Sequence, residues 1–251
     1  MPGSHLPELR ELQGTVIGIT GAASGIGLAA THQALAAGAR VIAQDINEAA
    51  LAELHAGVSG ELITVSGDIA DPGTTQAMIG SAIANFDRLD SMVMCAGIGL
   101  FGGIADHTPD ELSRMIRVNL DGTVWSVQSA VRQFRAQGGG GDLVFVASVA
   151  GMGIGGGAEA VYAATKGAQL NLAAAIDKEL RGEGIRASVI APAAVNTHFA
   201  AATGRFGDAP PEEGPFMQPA DIAAAIITVL RQPRRMRTAE WTMWSLAEPR
   251  G

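Results

Sequence analysis

A tyrosine and a lysine one helical turn apart are the residues of this sequence best suited to chemistry. Tyr162 is the only tyrosine among 251 residues, and Lys166 is one of two lysines, against fifteen arginines. Residues four apart share a helix face, and an ammonium beside a phenol stabilises the phenolate and lowers its pKa from about 10. The pair therefore predicts proton transfer to or from an alcohol or carbonyl oxygen, the alternative being a buried tyrosine beside a solvated lysine.

Ser148 is placed to assist that pair. It ends the run 142–148, which is predicted to be a buried strand. Ligands of parallel sheets bind at the carboxyl ends of the strands, where the serine hydroxyl can hold a substrate oxygen beside Tyr162. A serine at a strand end is otherwise most often a turn residue, so the neighbouring tyrosine–lysine pattern is what makes it a candidate.

A glycine-rich turn follows the first predicted strand. Thr20-Gly21-x3-Gly25-x-Gly27 joins the strand at 15–20 to a helix at 25–38. Glycines let the chain turn sharply and let a phosphate approach the backbone, while the helix N-terminus offers N–H groups and the positive end of its dipole. Glycine spacing alone is a weak signal in a chain with 33 glycines, but a strand before it and a helix after it predict a pyrophosphate site rather than a merely tight turn.

Acidic residues end the second and third predicted strands. Asp45 lies 18 residues after Gly27, where a carboxylate can accept hydrogen bonds from both ribose hydroxyls and repel a 2′-phosphate. No arginine or lysine stands at 22–24 or 46 to neutralise such a phosphate. The pattern favours NAD(H) over NADP(H), unless Asp45 only caps the next helix. Asp68 suits a contact to the adenine amino group, although it is equally explained as a turn residue.

Strands and helices alternate along the whole chain. The predicted strands are 15–20, 40–45, 62–66, 89–96, 142–148, 185–192 and 240–245, and the predicted helices are 25–38, 47–56, 73–86, 108–137, 159–182 and 219–232. This alternation predicts an α/β protein with a doubly wound, seven-stranded parallel sheet and helices on both faces, a single-domain Rossmann fold over 1–251. Residues 1–13 read as an N-terminal extension, and the Pro/Gly-punctuated segment 196–218 as a substrate lid.

Composition excludes several classes of function. A net charge of -8 repels nucleic acid and anionic lipid. The single cysteine, Cys95, excludes an internal disulfide and any multi-cysteine metal site and favours a reducing compartment, so no metal is expected. The sequence shows neither an apolar run long enough to span a membrane nor the apolar core of a secretory signal. A cytoplasmic location is the default expectation.

These motifs, in this order, resemble the short-chain dehydrogenase/reductase family. The glycine turn is followed by Cys95-Ala96-Gly97, Asn119, Ser148 and Tyr162-x3-Lys166, and the likeness spans essentially the whole chain. The resemblance implies an NAD-dependent alcohol dehydrogenase or carbonyl reductase. It implies that Tyr162 is the general acid/base, that Ser148 positions the substrate oxygen, that Lys166 holds the nicotinamide ribose, and that Asn119 supports a water-linked proton relay.

The resemblance also implies a set of cofactor contacts. They are Gly21, Ser24, Gly25, Ile26, Gly27, Asp45, Asp68, Ile69, Ala96, Gly97, Tyr162, Lys166, Pro192, Val195 and Thr197. Two departures from the family pattern stand out. Met94 and Cys95 replace the two asparagines usual before Ala-Gly, which concerns the stability of that turn, and Ala193 replaces the glycine usual after Pro192. Alanine disfavours a positive φ, so that turn is expected to shift.

The sequence indicates the substrate less clearly than the type of reaction. Apolar residues after Ser148, at 98–103 and in the lid indicate an apolar or weakly polar alcohol or ketone, and Arg205 leaves open a carboxylate. One rival function is a reductase of a 3-ketoacyl thioester or a hydroxy-acid dehydrogenase of the same family. The other is a non-catalytic dinucleotide-binding protein. The resemblance implies a homotetramer, or a homodimer, that pairs the helices at 108–137 and 159–182.

Overall fold

One seven-stranded sheet organises the molecule. The computed structural model describes residues 9–155, 157–197, 199 and 216–248. The strands are β1 Val16–Thr20, β2 Arg40–Asp45, β3 Leu62–Ser66, β4 Ser91–Met94, β5 Gly141–Val146, β6 Ile185–Pro192 and β7 Glu240–Met243. They lie in the order β3-β2-β1-β4-β5-β6-β7, and each pair of neighbours is parallel. All carboxyl ends therefore meet at one edge, and the order reverses between β1 and β4, where such folds form a crevice.

Helices cover both faces of this sheet. They are α1 Gly25–Ala36, α2 Glu48–Gly57, α3 Pro72–Phe86, α4 Pro109–Ile116, α5 Gly122–Gln137, α6 Ala160–Leu180 and α7 Pro219–Arg231. One apolar core joins the sheet to α1, α2 and α7, and the other joins it to α3, α5 and α6. The central strands β1, β4, β5 and β6 are buried along their whole length, because both faces are covered. The predicted doubly wound α/β fold is confirmed.

Two predicted strands end elsewhere, because polar side chains take over their backbone bonds. The fourth is Ser91–Met94 rather than 89–96. The Gln137 amide holds both backbone groups of Leu89, and Ala96 N donates to Thr20 Oγ1 at the other end. The fifth is Gly141–Val146 rather than 142–148. Ser148 instead caps a 3₁₀ turn at Val149–Met152.

The helix predicted at 108–137 is three elements rather than one. Thr108 and Glu111 form a capping box that starts α4 at Pro109. A π-helical turn, Arg117–Asp121, then separates α4 from α5. Such turns widen the helix and often lie at functional sites, and this one carries Asn119. The other predicted helices and the first and last predicted strands differ from the observed ones by one or two residues at their ends.

The two segments set apart in the sequence are partly described. Residues 1–8 of the extension lie outside the described residues, while Leu12 is buried in the core beside α1 and α7. Positions 198 and 200–215 of the predicted lid also lie outside them, and with them Arg205. The two ends of that segment meet, since Val195 pairs with Met217 and Asn196 N donates to Met217 O at 2.8 Å. No helix of the described chain is long and apolar enough to cross a membrane.

Candidate active site

A cleft of about 270 Å³ opens at the carboxyl ends of the strands. Every predicted cofactor residue, and Ser148, Tyr162 and Lys166, lines it. Asn119 is the one predicted catalytic residue that does not line the cleft, because it lies behind the wall and is fully buried. Ile98 and Phe199, from two segments predicted to bound the substrate pocket, line it as well. The cleft also includes residues that the sequence did not predict for it: Gln44, Ile46, Gly67, Cys95, Arg114, Val118, Val146, Ala147 and Ala193.

The glycine turn forms part of the cleft wall and is tightly packed against its neighbours. Gly21 has a φ of +65°, and a Cβ there would lie 2.8 Å from Ala96 Cα. A Cβ on Gly27 would lie 2.0 Å from the Gly21 carbonyl oxygen, so α1 can approach the end of β1 this closely only with glycine at 27. The N–H groups of the first helical turn have no partners inside a helix. They point at the cleft with the positive end of the dipole, which suits a pyrophosphate.

Asp45 is fixed at the end of β2 and does not cap the following helix. Its two carboxylate oxygens accept from Ala23 N and Asn47 N, each at 3.0 Å. Asn47 is the residue that caps α2, by accepting from Ala50 N. The capping alternative for Asp45 is therefore wrong. The carboxylate ties the glycine turn to β2 and faces the cleft, where lone pairs remain for ribose hydroxyls.

Tyr162 and Lys166 lie together on α6, almost fully buried, with exposures of 7% and 5%. The Lys166 Nζ is 5.7 Å from the centre of the Tyr162 ring. It donates to Val146 O at 2.9 Å and to Gln169 Oε1 at 3.1 Å. Burial lowers the pKa of Lys166 to about 8, with the Cys95 thiol acting weakly in the opposite direction. The lysine is thus held beside the phenol rather than solvated.

Ser148 faces the same space from the sheet. It lies two residues beyond β5 and is 6% exposed. Its Oγ accepts from Ala150 N at 3.2 Å, within the cap of the 3₁₀ turn. That bond uses a lone pair and leaves the O–H as a donor. The hydroxyl can therefore donate to an oxygen placed near Tyr162.

Asn119 joins the two walls of the cleft. Its side chain exchanges hydrogen bonds with Ile98 N and Ile98 O, each at 2.8 Å. The same amide donates to Thr165 Oγ1 at 3.1 Å, on the helix that carries the tyrosine. The Asn119 backbone carbonyl accepts from Gln169 Nε2 and Thr123 Oγ1, each at 2.7 Å. The π-helical turn therefore anchors both the chain leaving β4 and α6.

Comparison with known proteins gives the family. The family model described as short chain dehydrogenase matches residues 15–206. The chain belongs to the short-chain dehydrogenase family. An L-rhamnose 1-dehydrogenase (NAD(P)(+)) of Sphingomonas sp. strain SKA58 is 33% identical over 196 residues, which is 76% of each chain. An uncharacterized oxidoreductase of Staphylococcus aureus strain USA300 is 30% identical over 226 residues, 90% of this chain and 94% of that one.

Solved structures show the same fold. The closed form of a serine dehydrogenase complexed with NADP+ superposes with a TM-score of 0.85 at 21% identity, covering 94% of this chain and 96% of that one. A short chain dehydrogenase from Mycobacterium paratuberculosis bound to NAD has a TM-score of 0.80 at 25% identity, covering 93% and 97%. This protein is thus an oxidoreductase of the short-chain dehydrogenase family with a Rossmann fold.

Its two departures from the family pattern are absorbed without strain. Met94 is buried in the core beside α3 and α5. Cys95 is partly buried in the cleft wall, where desolvation raises the pKa of its thiol to about 12, so the thiol stays neutral at physiological pH. Ala193 does not adopt a positive φ, since only Asp87 and Ala158 do so among the described non-glycine residues. The Ala193 N–H instead donates to Met243 O at 2.8 Å, so pairing with β7 shapes this turn.

The cleft around Tyr162 is mainly apolar. Phe199 lies with its ring centre 5.6 Å from that of the tyrosine, and Ile98 packs in the same small cluster. Leu100, also predicted for the pocket, packs in this cluster. Two further apolar residues predicted there lie elsewhere: Met217 is in the main core and Ile154 is at the surface. Of the described residues that line the cleft, four carry charge: Asp45, Asp68, Arg114 and Lys166.

Proposed function

We propose that this protein is an NAD(H)-dependent oxidoreductase that interconverts a secondary alcohol and a ketone or aldehyde, with Tyr162 as the general acid/base. The carrying observation is that one cleft gathers Tyr162, Lys166 and Ser148 at one end and the glycine turn with Asp45 at the other. Family membership supports the reaction class. The proposal treats 1–251 as one dinucleotide-binding domain.

The residues fit a dinucleotide on two counts. At Gly21 and Gly27 a Cβ would collide with backbone atoms of Ala96 and Gly21, so these glycines allow the tight turn that places the N-terminus of α1 at the cleft, where a pyrophosphate can bind. Asp45 presents a carboxylate held by two backbone N–H groups at the place where an adenosine ribose is expected. When bound, the nicotinamide ring donates or accepts the hydride.

The chain's own residues handle the proton and the substrate oxygen. The Ser148 hydroxyl donates a hydrogen bond to that oxygen and so orients it. In reduction, the Tyr162 O–H gives its proton to the oxygen; in oxidation, the phenolate takes the proton back. The Lys166 ammonium stabilises the phenolate in either direction. The apolar surroundings at Ile98 and Phe199 strengthen these electrostatic effects by excluding water.

Replacing the phenol tests the mechanism directly. The Tyr162→Phe variant keeps the ring and loses only the hydroxyl, so turnover should fall by about 10²- to 10⁴-fold. NADH binding, measured by nicotinamide fluorescence, should stay within a few-fold of wild type. A non-catalytic dinucleotide-binding protein would instead show no turnover in either form. Equal turnover by variant and wild type would refute the role of Tyr162.

Cofactor preference follows from Asp45. A fixed carboxylate repels a 2′-phosphate, so the dissociation constant for NADH should be at least tenfold lower than for NADPH. Asp45→Ser removes the charge and should narrow that gap, chiefly by improving NADPH binding. Both constants can be measured by fluorescence titration. Tighter binding of NADPH by the wild type would contradict the inference.

The apolar wall favours a substrate with little polar surface. A panel of secondary alcohols and ketones, followed at the nicotinamide absorbance, should give the highest kcat/KM for apolar members. L-Rhamnose belongs in the panel because of the relative from Sphingomonas. A preference for the sugar would assign the cleft to polar substrates, and a preference for 3-ketoacyl thioesters or hydroxy acids would favour the rival reductase or dehydrogenase functions.

A homotetramer, or a homodimer, and a cytoplasmic location complete the proposal. The outer face of α6 presents exposed alanines, which allow another helix to approach closely. Analytical ultracentrifugation gives the subunit number directly. A monomer at micromolar concentration would remove this part of the proposal and leave the chemistry untouched.

A further inference from the structure

Gln169 occupies the space between the proposed catalytic lysine and the π-helical turn. It lies on α6 three residues after Lys166 and is 1% exposed. Its Oε1 accepts from Lys166 Nζ at 3.1 Å. Its Nε2 donates to Asn119 O at 2.7 Å and to Thr123 Oγ1 at 2.8 Å. The side-chain amide therefore connects the ammonium to the Asn119 carbonyl.

The orientation of this amide is fixed by the chemistry of its neighbours. An ammonium can only donate and a backbone carbonyl can only accept. The Gln169 oxygen must therefore face Lys166, and its nitrogen must face Asn119, since the flipped amide would place like groups together at both contacts. Both N–H groups of the amide are used. Both lone pairs of the Asn119 carbonyl are also used, by Gln169 and Thr123.

The contacts also decide how the lysine donors are used. Lys166 has three N–H donors, of which one goes to Val146 O and one to Gln169. The third remains for the cleft that Lys166 lines. Two fixed acceptors on the inner side thus direct the remaining donor outward, towards a ribose hydroxyl and the phenol.

We propose that Gln169 is a positioning residue that directs the Lys166 ammonium into the cleft. Its side-chain amide also takes the place of the water that the family resemblance implies beside Asn119. An amide N–H does not pass protons along as a water does. Protons released at Tyr162 therefore leave by way of the cleft rather than through Asn119. The inference rests on the proposed function only where turnover is the readout.

Three substitutions of Gln169 separate its contact with Lys166 from its contact with Asn119. Gln169→Leu keeps much of the volume and removes both polar contacts. Gln169→Ala leaves room for a water of about 30 Å³, with Lys166, Asn119 and Thr123 as three polar partners, which is enough to hold one. Gln169→Glu keeps the acceptor towards Lys166 and adds a negative charge.

The titration of Lys166 can be read without any activity. The chain has two lysines, Lys166 and the exposed Lys178, so ¹³Cε-lysine labelling gives two NMR resonances, the second an internal reference. Among the described residues, the titratable groups facing Lys166 are Tyr162 on its own helix and Cys95 beyond β4, while β5 and the π-helical turn contribute neutral amides. Losing the acceptor should lower the midpoint by about one to two pH units in Gln169→Leu, and the carboxylate should raise it in Gln169→Glu.

Turnover then tests the positioning role. Gln169→Leu should lower kcat by about 10- to 100-fold while the KM for the alcohol changes little. Gln169→Ala should retain more activity than Gln169→Leu, because a water can replace the bridge, and its kcat should gain a larger solvent deuterium isotope effect than wild type. These effects require an active wild type.

The outcomes can be told apart. An inactive wild type overturns the proposed function, while the NMR midpoints still judge the contact. If Lys166 titrates alike in all four proteins, or if Gln169→Leu turns over like wild type with an unshifted pH profile, the positioning role is refuted. Should Gln169→Leu fail to fold, the opposite shift expected in Gln169→Glu and the isotope effect in Gln169→Ala decide.

Discussion

The buried Lys166 ammonium makes the stability of the ligand-free protein depend on pH. Burial lowers the pKa of Lys166 from 10.5 to about 8. Between these values the folded state holds fewer protons than the unfolded state, so the contribution of this group to stability rises with pH. At about 1.36 kcal/mol per pH unit, the charged lysine costs the folded state about 3 kcal/mol below pH 8. The cost disappears as the pH approaches the unfolded value.

Lys166→Met removes this titration and keeps an unbranched side chain. The Val146 and Gln169 acceptors lose their donor in the variant, but that cost does not vary with pH. The free energy of unfolding of wild type minus that of Lys166→Met should therefore rise by about 2 to 3 kcal/mol between pH 7 and 10. Urea denaturation of ligand-free protein, at one protein concentration and several pH values, measures the difference.

Lys178→Met is the matched control. It makes the same chemical change on the same helix, at an exposed position. Its difference from wild type should stay flat over the same pH range. A flat profile for Lys166→Met as well would mean that the ammonium is not desolvated in the folded protein. That result would remove the electrostatic basis for its effect on Tyr162.

Two further predictions concern residues outside the proton-transfer group. Asp142 is buried and accepts a hydrogen bond from Arg186 at 2.6 Å. Asp142→Ala leaves the buried Arg186 charge without its partner and should lower the free energy of unfolding, measured by urea denaturation, by about 3–5 kcal/mol. As a control, Glu61→Ala breaks an exposed ion pair and should lower it by less than about 1 kcal/mol. Gly27→Ala places a Cβ 2.0 Å from the Gly21 oxygen and should weaken NADH binding at least tenfold; unchanged affinity in a calorimetric titration would show that the turn relaxes freely.

Strand positions were the part of the fold that the sequence predicted best. The second and sixth strands lie at 40–45 and 185–192, as predicted, because apolar runs between helices on both faces leave little choice of boundary. The fourth strand and the helix at 108–137 were predicted too long. Their boundaries depend on the side chains of Gln137 and Thr20 and on the π-helical turn, which are tertiary contacts without a local pattern.

The site likewise contains residues that the local sequence predicts and residues that only tertiary contacts identify. Tyr162, Lys166 and Ser148 were predicted to come together because their spacing and their places at strand and helix ends are local features. Gln169 was missed, because a glutamine three residues after a lysine on a helix looks like an ordinary polar residue until the π-helical turn is packed against it. Arg114 was missed as well. It is an exposed residue of α4, four positions before Val118, and its sequence neighbourhood does not distinguish it from the other polar residues of that helix.

The structure also explains why a chain rich in arginine has a lysine at 166. The buried acceptors there are two, the Val146 carbonyl and the Gln169 oxygen. An ammonium satisfies both and keeps one N–H for the cleft, whereas a guanidinium carries five N–H donors in a rigid plane. Placed in the same space, an arginine would leave buried donors unpaired, each at a cost of about 1–3 kcal/mol or more for a charged group. Arginine also keeps its charge at any accessible pH, so only lysine can hold a charge whose pKa burial has brought down to about 8.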